Sequence, residues 1–76
     1  MEELVKTIAV SLVDNPDEVS VSTIEKDGEI VIELKVAGAD MGKVIGKQGR
    51  IAKAIRVVVK AAAAKESRNV GVEIVQ

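Results

Sequence analysis

Two glycines three residues apart, Gly46 and Gly49, separate a short apolar turn from a long amphipathic stretch, and this junction constrains the chain more than any other feature. Residues 42–50 read Gly42-Lys43-Val44-Ile45-Gly46-Lys47-Gln48-Gly49-Arg50. Glycines so placed interrupt a helical pattern, so a helix–loop–helix is expected there. With no Cβ at 46 or 49, another backbone can approach closely, and both positions can take backbone angles that other residues avoid. Amides opening the second helix, together with Lys47 and Arg50, favour an anion at this spot. The junction therefore points to a phosphate, and to one carried by a nucleic-acid strand.

Around that junction the apolar period changes along the chain. Leu4, Val5, Ile8, Ala9, Leu12 and Val13 fall at helical spacing over residues 2–13. Asp14-Asn15-Pro16-Asp17 stops this helix, because proline cannot continue the hydrogen-bond ladder. Val19, Val21 and Thr23 alternate with polar residues as a first strand, and Asp27-Gly28 is a two-residue hairpin turn. Ile30, Ile32, Leu34 and Val36 then alternate with Val31, Glu33, Lys35 and Ala37, a second strand with one buried face. Gly38-Ala39 ends it, and Asp40 reads as the N-cap of a short helix through Met41, Val44 and Ile45. The long helix runs from Arg50 to Lys65 with Ile51, Ile55, Val58 and Ala62 on one face, and Val70 to Val75 alternate as a third strand. The order helix–strand–strand–helix–helix–strand predicts an α+β fold in which helices cover one face of a three-stranded sheet, as one domain over residues 1–76.

Composition removes several classes of chemistry. Without Cys or His there are no thiols, disulfides, ordinary zinc sites or imidazole catalysts, so neither a metal nor a cofactor is expected. Without Phe, Tyr or Trp, bases cannot stack on aromatic rings. The longest apolar runs are four residues, such as Ala61 to Ala64, so no membrane contact is expected and a soluble, cytoplasmic chain is. The net charge of −1 hides a division. Residues 40–65 carry seven bases (Lys43, Lys47, Arg50, Lys53, Arg56, Lys60, Lys65) and one acid, Asp40, whereas the other fifty residues carry four bases and eleven acids. A domain polarised in this way can hold a polyanion on one surface while staying near neutral. Arg50, Lys53, Arg56 and Lys60 step by three, three and four residues and so share one helix face. Between this stripe and the core face fall Ala54, Val57 and Ala61, which are either simple helix formers, a self-association surface or the floor of a nucleic-acid groove.

Nucleotide-binding loops do not fit the glycine spacing. Gly42 to Gly46 leaves three intervening residues, and Gln48 stands where a Ser or Thr would hold magnesium in a Walker loop. No Gly-x-Gly precedes the last glycine, as the dinucleotide fingerprint requires. With Val44-Ile45 directly before Gly46, a base directly after Gly49 and strands on both sides, the segment resembles the KH domain of RNA-binding proteins, marked by Val-Ile-Gly-x-x-Gly between two helices. The element order is similar to the type II KH arrangement of bacterial proteins, and the likeness runs through nearly all 76 residues. The chain looks like the small stand-alone bacterial KH proteins of the KhpA type.

That resemblance implies an RNA chaperone or post-transcriptional regulator that forms a homodimer and pairs with a larger KH protein of the Jag/KhpB type. It further implies that single-stranded RNA, about four nucleotides of it, crosses Gly46-Lys47-Gln48-Gly49 by its backbone. Lys47 would meet phosphate, Gln48 phosphate or sugar, and Lys43, Arg50 and Lys53 would extend the positive field. Val44, Ile45 and Ile51 would line an aliphatic groove for bases, edged by strand 30–37, although Ile45 and Ile51 also fit the core pattern. Single-stranded DNA is an alternative ligand. A protein-interaction or assembly module on the same frame is the alternative function. An enzyme is not expected, since no nucleophile–base pair can be named.

Overall fold

A computed structural model describes residues 1–76, apart from the side chain of Lys26. Helix α1 spans Glu2–Leu12, and its acidic first turn, Glu2 and Glu3, suits the positive end of the helix dipole. A 3-10 turn follows at Pro16–Glu18, with the proline in its first turn, where a missing N–H costs nothing. Strand β1 (Ser20–Lys26) turns back into β2 (Glu29–Lys35). Asp27 and Gly28 both have positive φ, 53° and 79°, which is how a two-residue hairpin matches the right-handed twist of its strands. A turn at Gly38–Asp40 leads into α2 (Met41–Ile45), a second turn at Lys47–Gly49 leads into α3 (Arg50–Ala64), and β3 (Val70–Val75) closes the chain.

The sheet order is β1-β2-β3. β1 pairs with β2 antiparallel, while β3, reached through the two helices, pairs with β2 in parallel. The central strand is therefore β2, with both its edges paired. Strand 30–37 cannot supply a free edge to a ligand; the open edges belong to β1 and β3.

The α+β architecture expected from the pattern is present, with α1 packed on β1 and α3 on β3. Ile32, Leu34 and Val36 of the second strand are buried, as their alternation requires, and meet Val5, Ala9, Val19, Val44, Ile55, Val59, Val70 and Val72. The long helix is turned relative to the expected face. Its buried residues are Ala52, Ile55, Val59 and Ala63, whereas Val58 is 43% exposed and Ile51 and Ala62 are half-buried. Ile55 and Val59 take the middle of the buried row with Ala52 and Ala63 at its ends, and Ile51 and Val58 fall to its flank.

Candidate nucleic-acid interface

Helix α2 carries the loop, and at five residues it is far too short to be stable in isolation. Three attachments hold it. Val44 is fully buried in the core, which removes it from the surface a base could touch and corrects its assignment to the groove. The other two involve Asp40 and Lys43. Asp40 occupies the N-cap position, but its side chain makes no capping bond. Its carboxylate instead accepts hydrogen bonds from the backbone N–H of Asp14 (3.2 Å) and from the backbone N–H (3.0 Å) and side-chain Nδ2 (3.1 Å) of Asn15. The expectation that proline and its neighbours merely stop α1 therefore understates them: the same turn donates to a carboxylate at the start of α2.

Asp40 is 1% exposed and is the buried polar residue of the described core. Burial by itself pushes its carboxyl upward. The hydrogen bonds from Asn15 and Asp14, together with the Lys43 charge, outweigh that and hold it below the usual carboxylate value. Lys43 bridges the same corner, its Nζ lying 2.9 Å from Asp14 and 3.7 Å from Asp40. The hydrogen bond and charge of Asp14 raise the Lys43 ammonium above its ordinary value. Lys43 thus does not extend an open positive field, because two carboxylates already surround it.

The loop at the other end of α2 is built differently. Gly46 has φ 76° and ψ 174°, a region essentially reserved for glycine. A Cβ added there would lie 2.5 Å from Ile51 Cγ1 and 2.9 Å from Ile51 Cβ. Ile51 Cβ is fixed to the α3 backbone, so no rotamer change makes room. Gly49 has φ 74° and ψ 15°, the left-handed helical region, and a Cβ there would meet nothing within 4 Å. Between them Gln48 also takes a left-handed conformation, φ 58° and ψ 25°. Bonds from the Gly46 N–H to the Gly42 carbonyl (2.9 Å) and from the Gly49 N–H to the Gly46 carbonyl (3.1 Å) close the turn on itself. Lys47 and Gln48 are left exposed at its tip, where the sequence expects them.

Past the loop, Arg50 and Lys53 are exposed on α3, and Ile45 and Ile51 are half-buried and packed against the core. Arg56 belongs to the basic stripe but is committed elsewhere, donating from Nε to the Val72 carbonyl of β3 at 3.3 Å. Ala54, Val57 and Ala61 lie exposed on the outer face of α3, Val57 at 66%. This strip continues into a shallow apolar groove between α1 and α3, lined by Ile8, Leu12, Ile51, Ala54, Ile55 and Val58 with Arg50 at one end. The groove was not legible in the sequence, where Ile8 and Leu12 read only as the core stripe of α1. Among the described residues no cluster of His, Cys, Asp or Glu is placed to share a metal ion, and no helix is long and apolar enough to cross a membrane.

Comparison with known proteins decides the family. The model of the KhpA/KhpB KH domain matches residues 2–74. The chain belongs to that family. A Caldanaerobacter subterraneus protein named RNA-binding protein KhpA is 68% identical over 75 residues, covering 99% of this chain and 100% of the relative. A protein of the same name from Clostridium acetobutylicum is 65% identical over an equal length with the same coverage. The one from Borreliella burgdorferi is 49% identical over 72 residues, covering 95% of this chain and 88% of its own. In this KH domain Gly46-Lys47-Gln48-Gly49 is slung between a helix anchored at its far end and the exposed, basic start of another.

Proposed function

We propose that this KH domain is a non-catalytic binder of single-stranded RNA, gripping the strand's backbone at Gly46-Lys47-Gln48-Gly49 and acting in the cytoplasm as an RNA chaperone or post-transcriptional regulator. The observation that carries the reading is the loop itself: Lys47 and a left-handed Gln48 stand exposed between two glycines, with nothing within 4 Å of where a Cβ of Gly49 would be. The name shared by its relatives, RNA-binding protein KhpA, supports it. Lys47 meets phosphate, Gln48 meets phosphate or sugar, and Arg50 and Lys53 supply the adjoining charge. Ile45 and Ile51, each with one side in the core, offer an apolar flank to bases. The chain has no aromatic ring to stack them.

Substituting Lys47→Asp together with Gln48→Asp tests this directly. Both side chains are exposed, so the circular dichroism spectrum and thermal midpoint stay at wild-type values while binding of labelled single-stranded RNA is lost. Undiminished affinity in that variant overturns the backbone grip. With about three phosphates neutralised, log affinity falls against log salt with a slope of about −2, shallow because the site is small.

A site of this size is weak alone and gains from a second, linked site. Homodimerisation through Ala54, Val57 and Ala61, and pairing with a larger KH protein, supply one. The exposed strip, with Val57 66% open to water, supports this reading, because covering it with a partner removes apolar surface from solvent. Val57→Glu should sediment as a monomer with an unchanged fold; a dimer that persists places the contact elsewhere.

A further inference from the structure

Lys43 stands apart from the other bases of residues 40–65: among the described residues it is the one held in ion pairs, with Asp14 at 2.9 Å and Asp40 at 3.7 Å. The two carboxylates do different things. Asp40 is buried and receives three hydrogen bonds from the turn after α1, so it holds α2 in place. Asp14 is tied to that arrangement by its backbone N–H, while its side chain, 75% exposed, reaches out to the Lys43 ammonium. The turn needs residue 14 for its amide and not for its carboxylate. The Asp14 carboxylate nevertheless places a second negative charge against Lys43, the base that stands three residues before Gly46 in the chain.

We propose that Asp14 is an internal competitor for Lys43, occupying in the free protein the ammonium that an RNA backbone phosphate takes in the complex. The inference rests on the loop reading above. An exposed ion pair of this kind is readily exchanged, because its strength in water is small. Asp40 stays on the far side of Lys43 and keeps the ammonium at this corner when the phosphate replaces Asp14. The carboxylate of Asp14 acts in the free protein as a stand-in phosphate, and the need to displace it lowers affinity. Its effect is local to one ammonium, which separates it from the general repulsion any acid exerts on a polyanion.

The test uses the full chain and a labelled oligouridylate, read by fluorescence anisotropy across a salt series. Asp14→Asn retains the backbone N–H that Asp40 accepts, and is expected to bind about two- to fivefold more tightly. Its salt slope should stay at the wild-type value, because the same phosphate meets Lys43 in both complexes. Lys43→Gln in the Asp14→Asn background should erase the gain and make the slope shallower by about 0.7, the contribution of one phosphate. Asp14→Ser repeats the measurement with a shorter side chain, so that an unfolded first variant leaves the question answerable. Affinity that is unchanged or weaker in both Asp14 variants overturns the proposal, as does a gain that survives Lys43→Gln, which would make Asp14 a general repulsive charge. The loop variant Lys47→Asp/Gln48→Asp separates the two ideas. Lost binding there without any gain from Asp14→Asn removes the competitor and leaves the grip standing, whereas wild-type binding there removes the grip itself.

Discussion

The two ends of α2 satisfy their polar groups in opposite ways. At its start, a carboxylate is taken out of water and surrounded by three donors and an ammonium, so neither of its oxygens is stranded by burial. At its end, glycine conformations and a left-handed Gln48 turn the backbone outward and leave Lys47 and Gln48 facing solvent. The first arrangement fixes a helix that has only five residues with which to fix itself. The second leaves donors uncommitted, which is what an incoming phosphate requires. The lesson lies in the pairing: an open loop keeps a defined shape because the opposite end of its short helix is closed.

The sharpest way to break this comparison is at Gly46. Gly46→Ala puts a methyl into Ile51 and forces a backbone region that L side chains avoid, so a loss of about 2–4 kcal/mol in urea unfolding is expected. Gly49→Ala meets no neighbour and bears only the left-handed penalty, about 1 kcal/mol. Equal losses at the two positions would mean that Ile51 yields and that the loop is looser than its geometry implies.

At the closed end the expected effect is smaller and depends on pH. The Asp40 carboxyl is held below its ordinary value in the folded protein, so it binds a proton less readily folded than unfolded. Its stabilising contribution is therefore complete above about pH 4, the unfolded carboxylate value, and is lost as pH falls through the lowered folded value. Thermal midpoints measured across the acid range should fall more steeply for wild type than for Asp40→Asn, which starts lower and lacks that limb. Parallel curves would show that the carboxylate is not the group that closes this end.

Much of this molecule is legible along the chain because its signals are local. Alternation at every second residue places Ile32, Leu34 and Val36 inside, Asp27-Gly28 makes the hairpin, and Gly46 and Gly49 mark the turn between two helices. Each depends on neighbours within a few residues, and the covalent geometry of the backbone carries that information. The face of α3 is less secure, since Ile51, Ile55, Val58 and Ala62 and the true set Ala52, Ile55, Val59 and Ala63 are both apolar rows at helical spacing. Only docking on the sheet chooses between them, and it buries the row centred on Ile55 and Val59.

The remaining differences share one cause. Nothing local announces that Asp14 and Asn15 meet Asp40, residues 25 and 26 positions apart, or that Lys43 is neutralised there. Nor does a strand pattern reveal that β2 lies in the middle and so has no edge to offer, or that Val44 is sealed in the core. By itself the sequence determined which elements form, where the glycine turn falls and which side chains stand at its tip. The tertiary structure decided which of the surrounding charges are free, because two residues far apart in the chain become partners only once their elements have packed.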